Sequence, residues 1–108
     1  MINEILTDLY NRKFISKSLE NCRKEKFEGS LEDFLNKIRE ILKNKNTNNI
    51  ILFSPTDPKP GAEVKLSIDE AIKKVKDESI PEDFILKDDN ENLLFYIGHD
   101  ENFWIIYF

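Results

Sequence analysis

The sequence predicts an α+β domain in which N-terminal helices pack on a small antiparallel sheet that ends in a three-stranded meander. Three observations carry that expectation. Apolar residues recur at helical spacing in the first half, most cleanly at Leu31, Phe34, Leu35, Ile38, Ile41 and Leu42. After Pro81 the pattern changes to short runs of β-branched and aromatic residues, Phe84 to Lys87, Leu93 to Ile97 and Phe103 to Phe108. The gaps between those runs are five residues each, built from Asp, Asn, Glu, Gly and His, which is hairpin length and chemistry. A chain of 108 residues supports one core, so a single domain over 1–108 is expected.

Taken in order, Ile2, Ile5, Leu6 and Leu9 open an apolar stripe that resumes through Ile15, Leu19 and Cys22 toward Phe27. Residues 2–26 therefore read as helix, either one piece or two with a break between Asn11 and Ser16. Gly29 ends that segment, and Ser30 with Asp33 three residues on forms a capping-box start for a helix over 30–44. A polar linker leads to Ile50–Phe53, a short apolar run that reads as a buried strand. Ser54 to Gly61 holds three prolines and a glycine, which makes it a surface loop. Ser67 and Glu70 form a second capping box, with Leu66 placed to staple onto Ala71, and a helix over 67–77 follows until Pro81 forbids its extension.

The meander strands are 84–87, 93–97 and 103–108. In the last of them Phe103, Ile105 and Tyr107 point one way while Trp104, Ile106 and Phe108 point the other. Both faces are apolar, so this strand belongs inside the sheet, with Ile105 in the core. Helices cover one face, and a further helix of the chain or a partner covers the other.

Composition narrows the function. No apolar run is long enough to span a bilayer, and the N-terminus lacks the basic-then-apolar order of a signal peptide, which places the protein in the cytoplasm without a membrane partner. The single cysteine, Cys22, rules out an internal disulfide or a multi-cysteine zinc site. Thirteen lysines against three arginines, with eleven asparagines and fourteen isoleucines, fit AT-rich coding. Residues 1–48 carry ten Lys/Arg against eight Asp/Glu, whereas residues 49–108 carry six against thirteen. An acidic half of this kind repels nucleic acid and attracts basic partners. The one basic stretch, Arg12 to Lys26, is diluted by Glu20 and Glu25 and reads as a solvated helix face rather than a nucleic-acid site. Gly61 opens no phosphate-binding loop.

His99-Asp100-Glu101 is the one place where a histidine adjoins two carboxylates. A catalytic or metal role there would need further carboxylates such as Glu82 to converge on it, as in a small metal-dependent phosphoryl-transfer enzyme. The simpler reading is a hairpin turn in which Gly98 supplies an unusual backbone angle. No cofactor is implied. Successive hairpins of a meander lie at opposite ends, which groups Glu82, Asp83, Asp100 and Glu101 at one end and Asp88, Asp89 and Glu91 at the other. Tyr96 and Trp104 are the candidate aromatic anchors between these steering charges.

A small acidic α+β chain with acids around Glu82–Asp83, Asp88–Glu91 and Asp100–Glu101 resembles, in general character, the bacterial immunity proteins of contact-dependent inhibition and other polymorphic toxin systems. The resemblance implies a protein inhibitor that neutralises a basic, nuclease-like toxin domain and performs no chemistry itself. A phage-encoded inhibitor of a host defence protein has the same character.

Overall fold

The structure is a computed structural model that describes residues 22–45, 48–54, 62–77, 83–88, 93–98 and 100–107. The described residues form strands β1 (Arg23–Phe27), β2 (Asn49–Ser54), β3 (Ala62–Ser67), β4 (Phe84–Asp88), β5 (Leu93–Ile97) and β6 (Phe103–Tyr107). Two helices join them, α1 (Leu31–Asn44) and α2 (Ile68–Asp77). The strands make one sheet in the order β1-β6-β5-β4-β2-β3, and every neighbouring pair is antiparallel. The expected meander is β4-β5-β6, the Ile50–Phe53 run joins the same sheet as β2, and β6 lies inside it between β1 and β5.

Both helices start where side chains satisfy the first backbone donors. Ser30 Oγ accepts from the amide of Asp33 at 3.1 Å, and the Asp33 carboxylate accepts from the amide of Ser30 at 3.5 Å. Ser67 and Glu70 repeat the exchange, each bond at 3.2 Å. The Ser67 bonds hold the Glu70 carboxyl below its ordinary pKa, because they favour the charged form. The helices lie antiparallel on one face of the sheet, bridged at their surface by Arg39–Asp69 at 3.0 Å and Lys76–Glu32 at 3.5 Å. Exposed pairs like these fix orientation more than they stabilise.

The core between helices and sheet runs from Phe34, Leu35, Ile38 and Leu42 of α1 and Ala71, Ile72 and Val75 of α2 to Leu52, Leu86, Phe95, Phe103 and Ile105 of the strands. Phe34 ties three strands to the helix. Its ring stacks on Phe103 at 4.9 Å, meets Phe27 at 5.1 Å and approaches Phe95 edge-on at 6.4 Å. On the opposite face Phe53, Ile85, Leu94, Tyr96 and Ile106 form a second buried cluster, at most 2% exposed. These five side chains are buried within the single chain, while Ile51 and Trp104 at the margin of the cluster are half-buried.

Two expectations need correction. Residues 23–27, read as the end of a helix, are strand β1. Their helical spacing was slight, and in the fold Arg23, Glu25 and Phe27 share one face while Lys24 and Lys26 take the other. Backbone pairing with the apolar strand β6 overrides the local preference. Ala62–Ser67, which no pattern assigned, is strand β3; Val64 and Leu66 alternate with Glu63 and Lys65 across the sheet. The remaining expectations, a helix over 2–21 and a loop over 55–61, lie outside the described residues, as does Phe108.

Candidate partner-binding surface

Register decides which acids meet. Phe84 pairs with Ile97, Ile97 with Phe103, and Phe103 with Phe27, so four strands reach the same end together. Asp83 precedes β4 at that end, the Gly98–Asn102 turn joins β5 to β6 there, and Glu28 leaves β1 there. The helix α1 also begins at this end, because Phe34 in its first turn stacks on Phe103. Its acidic first turn, Glu32 and Asp33, therefore joins Asp83, Asp100, Glu101 and Glu28. Lys76, held on Glu32, and Lys26, opposite Trp104 in the register, are the nearby cations. Arg23, Arg39, Lys43 and Lys45 gather toward the other end, where Arg23 lies 4.8 Å above the Tyr107 ring.

The hairpin that carries Asp100 and Glu101 is tightly closed. The amide of Gly98 donates to the carbonyl of Asn102 at 2.9 Å, and the amide of Glu101 donates to that of Gly98 at 3.1 Å. Among the described residues of this turn the left-handed position is Glu101, with φ 63°, and not Gly98 as the sequence led us to expect. Gly98 is needed for space instead: a Cβ there would meet the Asn102 carbonyl at 2.8 Å. Asp100 and Glu101 are both exposed at the tip.

The expected anchors divide. Trp104 is half-buried against the second cluster, and its Nε1 donates to Asn102 Oδ1 at 3.1 Å, which sets the indole beside the acidic turn. Tyr96 is not an anchor. It is 0% exposed, and its hydroxyl donates to Asp83 at 2.5 Å. Its contribution to the surface is to orient that carboxylate from below.

The second acidic cluster is also corrected. Asp88 is 0% exposed, and alternation from Phe84 and Leu86 puts it on the helix-covered face opposite Ile50, so it offers no charge to a partner. Asp89 and Glu91 lie outside the described residues, as do Glu82 and His99. Among the described residues no group of three His, Cys, Asp or Glu is arranged to hold a metal ion, and no helix is long and apolar enough to cross a membrane.

Sequence reasoning missed Glu28, Glu32 and Asp33 as members of the acidic end. The signal that could have found them is the alternation of Arg23, Glu25 and Phe27, which, read as a strand, brings β1 and the start of α1 to the meander. Among the described residues, shallow depressions lie elsewhere. One of about 510 Å³ runs beside Leu66, Glu70, Lys73, Lys74 and Asp77, and one of about 290 Å³ is lined by Arg39, Lys43, Asn48 and Asp69.

Comparison with known proteins gave no matching protein family, no matching curated protein and no matching solved structure.

Proposed function

We propose that this chain is a protein-binding inhibitor of the immunity type, acting in the cytoplasm on a basic, nuclease-like toxin domain. The observation that supports it is the register that brings Asp83, Asp100, Glu101, Glu28 and the start of α1 to one end of the sheet, with the Trp104 indole beside the turn that carries Asp100 and Glu101. Clustered carboxylates steer a cationic partner over a distance of about 10 Å at ordinary salt, and a partly exposed indole supplies the short-range apolar contact that holds it.

The partner to test first is a basic toxin domain encoded beside this gene. Association is followed by surface plasmon resonance for the wild type and for Asp100→Lys/Glu101→Lys. Steering predicts that the double reversal slows association by about tenfold or more and changes dissociation less, and that added salt slows the wild type. Binding that ignores both salt and the reversals would reject the acidic end as the interface.

A further inference from the structure

We draw no further inference here: the strongest candidate, the depression of about 290 Å³ lined by Arg39 and Lys43 of α1, Asn48 and the start of α2, carries nothing, because Asp69 in its own lining already holds the Arg39 guanidinium at 3.0 Å and a helix N-terminus beside exposed cations does not make an anion site without a second observation that points to a ligand.

Discussion

Glu101 holds a backbone conformation that its side chain resists. At φ 63° the Cβ crowds the following carbonyl, a cost of about 1–2 kcal/mol for an ordinary residue and little for glycine. A hairpin under selection for stability alone would place glycine or asparagine at this position. Under the proposed binding role, an exposed glutamate at this tip keeps a charge where a partner would arrive, which gives the retained strain a reason. Glu101→Gly is expected to raise unfolding free energy by about 0.5–1 kcal/mol in urea titrations, after the larger chain entropy of glycine is deducted. The same change should slow association with a basic partner. A variant no more stable than the wild type would remove strain from the account of this residue. Asp83 is set differently: the buried Tyr96 hydroxyl orients it, so a residue with no exposed surface still shapes the charged end.

At the level of elements, α1 is anchored by one side chain more than by any other. Phe34 is fully buried and contacts rings from β1, β5 and β6. Phe34→Ala removes those contacts together and leaves a cavity that three strands and a helix must all shift to fill, so a loss of about 3–5 kcal/mol is expected by urea denaturation. A loss below about 1 kcal/mol would mean that the aromatic cluster collapses freely. This helix was readable in the sequence because its cap and its apolar spacing agree, and the meander because its strands are apolar on both faces. The strands β1 and β3 were not readable. Each is outermost among the described strands, and their charged residues, Lys24 and Lys26 in one and Glu63 and Lys65 in the other, erase the apolar run that marks an interior strand. The acidic end was half legible for the same reason. The hairpin acids follow from meander geometry alone, but Glu28, Glu32 and Asp33 join them only through the pairing of β1 with β6.

At the scale of the whole molecule, the described carboxylates are concentrated toward one end of the sheet. Among the described residues Glu28, Glu32, Asp33, Asp83, Asp100 and Glu101 lie toward one end and Arg23, Arg39, Lys43 and Lys45 toward the other. Carboxylates held close together repel, and the unfolded chain relieves that repulsion by spreading them apart. The arrangement that would speed capture of a basic partner therefore weakens the isolated protein, and salt should act on the two properties in opposite directions. Raising sodium chloride from about 20 mM to about 500 mM shortens the screening length from above 20 Å to below 5 Å. Over that range the melting temperature of the isolated chain is expected to rise by a few degrees while its association with a basic partner slows. Asp100→Asn/Glu101→Gln lowers the repulsion directly, so the variant should melt higher than the wild type at low salt and gain less from added salt. Scanning calorimetry on both proteins across the series decides the matter. If the wild type is insensitive to salt, or the variant gains as much as the wild type does, these carboxylates are too far apart to act as one field, and the steering argument fails with them.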